Sequence, residues 1–122
     1  MRRATVIAVV ALLAAAGAAA ARTTAVGVGL HEYRLAPYRD RVLPGTVKFN
    51  VSNKGEDAHD FVVRTRRGRI VAATGEIRAG ERRTLRVRFP HAGRYVLVCT
   101  LGDHESRGMR ARLTISRRNP SP

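Results

Sequence analysis

The chain has 122 residues, enough for one small domain and one core. It carries 21 arginines and 2 lysines against nine acidic residues, a formal net charge of +14, so an acidic partner or surface is expected. Three tyrosines, three phenylalanines and no tryptophan leave few rings on which bases could stack, which argues against nucleic acid.

Residues 1–21 open with Arg2 and Arg3 and continue as the apolar, alanine-rich run "ATVIAVVALLAAAGAAAA". Two early cations, an apolar stretch and small residues at its end have the pattern of a signal peptide cleaved near Ala21. An uncleaved N-terminal anchor is the alternative. Export to the periplasm or outside the cell is expected either way. Removing Arg2 and Arg3 from +14 leaves +12 on residues 22–122.

From there to residue 116 the pattern is β. Strands are expected near 25–34, 45–53, 60–65, 69–73, 82–89, 93–99 and 109–116. "TVKFNVSN" alternates Val47, Phe49 and Val51 with polar residues. "TLRVRF" alternates Leu85, Val87 and Phe89 with arginines. "RYVLVC" sets Tyr95, Leu97 and Cys99 on one face and Val96 and Val98 on the other. "MRARLTI" alternates Met109, Ala111, Leu113 and Ile115 with Arg110, Arg112 and Thr114. A period of two marks half-buried strands, and outward arginines discourage edge pairing. Turn signals recur at "LAPYRD", "LPG", "NKGEDAH", "RRGR", "RAGE", "PHAG" and "LGDHESRG". Short strands with regular turns indicate an all-β antiparallel sandwich or barrel spanning 22–116. Phe49, Phe61, Val87, Tyr95, Leu97, Leu113 and Ile115 are expected in its core. The polar end "SRRNPSP" reads as a disordered tail over 117–122.

Cys99 is the single cysteine, so no internal disulfide can form. A thiol exported to an oxidising compartment needs protection. His104 lies five residues after it and Met109 five further on, with Cys99 and Met109 in phase with core-facing residues. One hairpin loop can therefore gather thiolate, imidazole and thioether at little entropic cost. Soft sulfur with imidazole suits copper, above all Cu(I). His59, at the edge of an apolar strand, offers a fourth ligand from a distant part of the chain. Two histidines and one cysteine with a weak axial methionine form the blue-copper arrangement for electron transfer. His31 and His91 read as ordinary strand and turn residues. A Cys99–His104 nucleophile is a rival reading, but no orienting third residue is evident.

"YVLVCTLGDHESRGM" resembles the Y-x-x-x-C…H…G-M ending of the cupredoxins, the small blue copper family. "LPGTVKFNVSNKGEDAHDF" resembles the family's upstream half, which leads to its first histidine, and "HEYRLAP" resembles the opening strand of bacterial members. The resemblance implies a Greek-key β-sandwich holding one copper ion that cycles between Cu(I) and Cu(II). It implies His59, Cys99 and His104 as equatorial ligands, Met109 as the axial ligand, and one-electron transfer rather than enzymatic turnover. Gly102 and Asp103 stand where many members have Pro and Gly, and Asp60 where many have Asn. The expected partner is an acidic redox protein or an anionic membrane face, met by a monomer. Copper storage or delivery in the cell envelope is the alternative function, and a metal-free structural sandwich is a third.

Overall fold

The computed structural model describes residues 22–118. Nine strands are found among them: β1 (Thr23–His31), β2 (Arg34–Pro37), β3 (Arg41–Val42), β4 (Gly45–Asn53), β5 (Val62–Thr65), β6 (Ile70–Ala73), β7 (Arg82–Phe89), β8 (Gly93–Val98) and β9 (Arg110–Ile115). The expected signal segment 1–21 and tail residues 119–122 lie outside the described residues.

Alternation builds two layers. One sheet has the order β2-β1-β4-β7 and the other β3-β9-β8-β5-β6. Their inner faces carry Val26, Val28 and Leu30 of β1, Val47, Phe49 and Val51 of β4, Val87 and Phe89 of β7, Leu97 of β8, and Leu113 and Ile115 of β9, all buried. The Phe49 and Phe61 rings meet at 5.0 Å between centroids and bridge the layers. Each such ring contributes on the order of 1.5–3 kcal/mol through burial. The seven expected core residues all join this cluster, Tyr95 half-buried at its margin with its ring 4.7 Å from that of Phe89.

Three features differ from the expectation. The sheets are mixed, because β1 runs parallel to β4 and β3 parallel to β9. Alternation fixes which face a side chain takes but not the direction of the neighbouring strand. The single strand expected at 25–34 is two: the chain reverses at Glu32–Tyr33, and "RLAP" returns as β2, antiparallel to β1. β3, only two residues long, is too short to show a period. Val98, on the face opposite Leu97 and Cys99, is also fully buried, beside its cross-strand partner Val62.

The topology gathers particular chain segments at one end of the sandwich. β1 and β4 end there, being parallel, while β5 begins there beside the end of β8 and the start of β9. The β1–β2 turn, the segment after β4, the approach to β5 and the β8–β9 loop therefore lie together.

Candidate metal centre

His59 is placed before β5 by an isolated bridge. Its N–H donates to the Ile77 carbonyl at 3.0 Å, and Ile77 N–H donates back at 2.7 Å. Phe61 N–H then donates to the Thr74 hydroxyl, so the regular strand begins only at Val62. Cys99 follows the last residue of β8 and Met109 precedes the first of β9. Cys99 N–H donates to the Met109 carbonyl at 3.0 Å, and Met109 N–H donates to the His104 carbonyl at 3.1 Å. The loop between them closes on itself through Arg107 N–H to Asp103 O and Gly108 N–H to Glu105 O. Gly108 has φ +121°, and a Cβ there would meet the Tyr33 carbonyl at 3.1 Å, so glycine alone fits without strain.

These elements bring three donor atoms together. His59 Nδ1 lies 3.2 Å from His104 Nδ1 and 3.9 Å from Cys99 Sγ, and Cys99 Sγ lies 3.6 Å from His104 Nδ1. The point equidistant from all three is about 2.1 Å from each, close to the ~2.0–2.3 Å that nitrogen and thiolate ligands take on a first-row metal ion. The donor set fits a small soft-to-borderline cation on both distance and chemistry. His59 and Cys99 are fully buried, and His104 is half-buried toward solvent. Met109 is fully buried and belongs to the same apolar cluster as Cys99. His31, at the end of β1, and His91, in the exposed turn before β8, stand outside this group.

Hydrogen bonds fix which nitrogen of His59 faces the cluster. His59 Nε2 lies 2.9 Å from Glu32 Oε1, so the proton sits on Nε2 and leaves the Nδ1 lone pair turned inward. The same oxygen accepts N–H bonds from Glu56 at 2.9 Å and Asp57 at 2.8 Å. These donors, Asp57 first, hold the Glu32 carboxyl down to about 2. Asp60 joins the two ligand-bearing segments: Oδ1 accepts Thr100 N–H at 2.6 Å, and Oδ2 accepts the Thr100 hydroxyl. Burial pushes the Cys99 thiol above its ordinary value, while the backbone N–H groups of Asp60 and Leu101 pull it down.

The charges around His104 are paired. Glu105 binds Arg64 through two bonds, at 3.0 and 2.7 Å, and lies 3.5 Å from Arg110. Arg64 holds the Glu105 carboxyl below its ordinary range, and Arg107, 2.7 Å away, does the same to Asp103. Tyr33 packs its ring 5.1 Å from that of His104, and the Arg107 guanidinium covers Tyr33 at 4.9 Å. The mouth of the site is thus one ring edge framed by ion pairs.

Of the sequence-derived candidates, His59, Cys99 and His104 converge directly, and Met109 adjoins them through main-chain bonds and the shared core. Glu32 and Tyr33 were not singled out by the sequence. They sit inside what reads as one strand, and only the reversal at residues 32–33 delivers them to this end of the molecule.

A cupredoxin-like domain model matches residues 3–115. Among solved structures, auracyanin from Roseiflexus castenholzii is 20% identical, covers 77% of this chain and 96% of its own, and superposes with a TM-score of 0.61. Auracyanin A from Chloroflexus aurantiacus, described as a "blue" copper protein, is 13% identical, covers 78% of this chain and 100% of its own, and gives 0.65. Reduced rusticyanin is 19% identical, covers 77% and 79%, and gives 0.60. At these identities the likeness concerns the fold. No curated relative matches the sequence significantly.

Proposed function

The chain belongs to the cupredoxin-like family, and from that premise we propose that it is an exported one-electron carrier with a mononuclear blue-copper site. The observation that carries this reading is the convergence of Cys99 Sγ and the two Nδ1 atoms on one point about 2.1 Å from each. His59, Cys99 and His104 would hold the ion, and Met109, buried beside them, would offer a weak thioether donor. The ion supplies the one-electron couple; everything else is done by the chain. The buried ligands exclude water, the two sheets and the Asp60–Thr100 tie hold the donor positions together, and His104 offers the half-exposed edge for electron passage.

Export is supported by the pattern of residues 1–21 and by the protection a bound ion gives to a lone thiol. The partner we propose is an acidic redox protein. Arg41, Arg66, Arg94, Arg110 and Arg112 line a concavity on the five-stranded sheet, and among the described residues Arg110 alone of these is ion-paired, with Glu105. Association with such a partner should weaken as ionic strength rises. Binding to anionic vesicles in place of acidic proteins would assign the face to a membrane.

Copper titration and voltammetry of wild type and Cys99→Ala test the function. The expected result is tight binding and a reversible one-electron wave in wild type only. Equal, weak binding by both would overturn the copper reading. Tight Cu(I) binding without a stable Cu(II) form would favour copper storage or delivery.

A further inference from the structure

Glu32 touches the metal centre without belonging to it. It lies in the β1–β2 turn, far in sequence from the other loops, and its Oε1 accepts three hydrogen bonds at once: from Glu56 N–H, Asp57 N–H and His59 Nε2. The chain has made room for it. A Cβ on Gly55 would lie 2.7 Å from the carboxyl carbon, so any larger residue at 55 would push the carboxylate from its present place. The side chain is 28% exposed and its histidine partner fully buried, so the charge is only partly screened by water.

We propose that Glu32 is a positioning residue for electron transfer: its carboxylate locks the His59 ring with Nδ1 facing the metal position, and its charge behind that ring favours Cu(II) over Cu(I). This rests on the copper reading above. A ligand histidine whose remote N–H is held by a carboxylate is fixed in tautomer and orientation and is a stronger donor. A fixed negative charge also stabilises the more positive ion, which lowers the reduction potential. Reduction adds one electron to the ion, and the proton on His59 Nε2 stays where it is, shared with Glu32.

Three variants separate positioning from charge. Glu32→Gln keeps an oxygen acceptor for the three N–H donors and removes the charge. Glu32→Ala removes both. Gly55→Ala drives a methyl group against the carboxylate without altering any residue that touches His59. In the copper-loaded protein, Glu32→Gln should reduce the preference for Cu(II) over Cu(I) about tenfold, which raises the potential by ~59 mV for one electron. Gly55→Ala should move it the same way. In copper-free protein, nitrogen NMR should find the His59 proton on Nε2 in wild type and Glu32→Gln, and a mixture of tautomers in Glu32→Ala. A Glu32→Gln potential within twofold of wild type (~18 mV) would overturn the charge claim. An unchanged tautomer in Glu32→Ala would overturn the positioning claim. Failure of wild type to give a reversible copper couple would instead refute the copper reading, and the metal-free NMR comparison would still decide the role of Glu32 toward His59.

Discussion

Replacing Asp60 with alanine cuts the tie between the segment carrying His59 and the segment carrying Cys99. The buried carboxylate accepts both Thr100 N–H and the Thr100 hydroxyl. A hydrogen bond to a charged group contributes about 1.5–3 kcal/mol, and taking the lower figure for two bonds on one residue gives ~3 kcal/mol. For a domain of this size each kcal/mol lowers Tm by about 4–8 °C, so Asp60→Ala should melt roughly 12–24 °C below wild type. Asparagine keeps both contacts, because its oxygen accepts the N–H and its amide donates to the hydroxyl oxygen, so Asp60→Asn should cost less than about 1 kcal/mol. Urea and thermal unfolding of the copper-free proteins give both values without interference from the metal. Copper should also dissociate faster from Asp60→Ala, because His59 and Cys99 adjoin the broken tie. An alanine variant within about 1 kcal/mol of wild type, or an asparagine variant as damaged as alanine, would refute this account.

Because burial raises the Cys99 thiol, it is protonated in the copper-free protein at neutral pH, and copper uptake should release a proton from it, measured by calorimetry in buffers of different ionisation enthalpy. The same shift stabilises the copper-free protein fully below the ordinary thiol value near 9.0 and is lost as pH rises through the raised one; Cys99→Ala should remove this alkaline loss in denaturation curves. Glu105→Gln should destabilise the protein by about 1 kcal/mol at neutral pH. Since Arg64 lowers the Glu105 carboxyl, that difference is present above the ordinary carboxyl range and should vanish in acid as pH falls through the lowered value, as urea titrations across pH would register. Gly108→Ala, at φ +121° and against the Tyr33 carbonyl, should cost about 1–3 kcal/mol in thermal unfolding and weaken copper retention.

The core and most strand positions were legible because Val47, Phe49 and Val51, or Leu113 and Ile115, obey a period that only a half-buried strand requires. The donor set was legible for a different reason. Cys99, His104 and Met109 sit within one loop, so their spacing reports their proximity, and His59 stands out as a histidine at the end of an apolar strand. Sheet direction was not legible, since alternation is the same for parallel and antiparallel neighbours. Neither was the split of the first strand, because Glu32 and Tyr33 continue a plausible strand pattern and their reversal depends on tertiary contacts. Glu32 meets His59 across 27 residues, and Asp60 meets Thr100 across 40. No local signal encodes either distance. The charge pairing around His104 was not legible either: Asp103 pairs with Arg107 within the loop, but Glu105 pairs with Arg64 of β5, 41 residues away.

Cys99, His59 and His104 are proposed to hold one copper ion, with Cys99 supplying a buried thiolate. The most direct test is the visible and EPR spectrum after Cu(II) addition to wild type and Cys99→Ala. The account predicts an intense thiolate-to-Cu(II) band and an EPR signal with narrow copper hyperfine splitting in wild type, both absent from the variant. A weak, ordinary Cu(II) spectrum identical in the two proteins would contradict it.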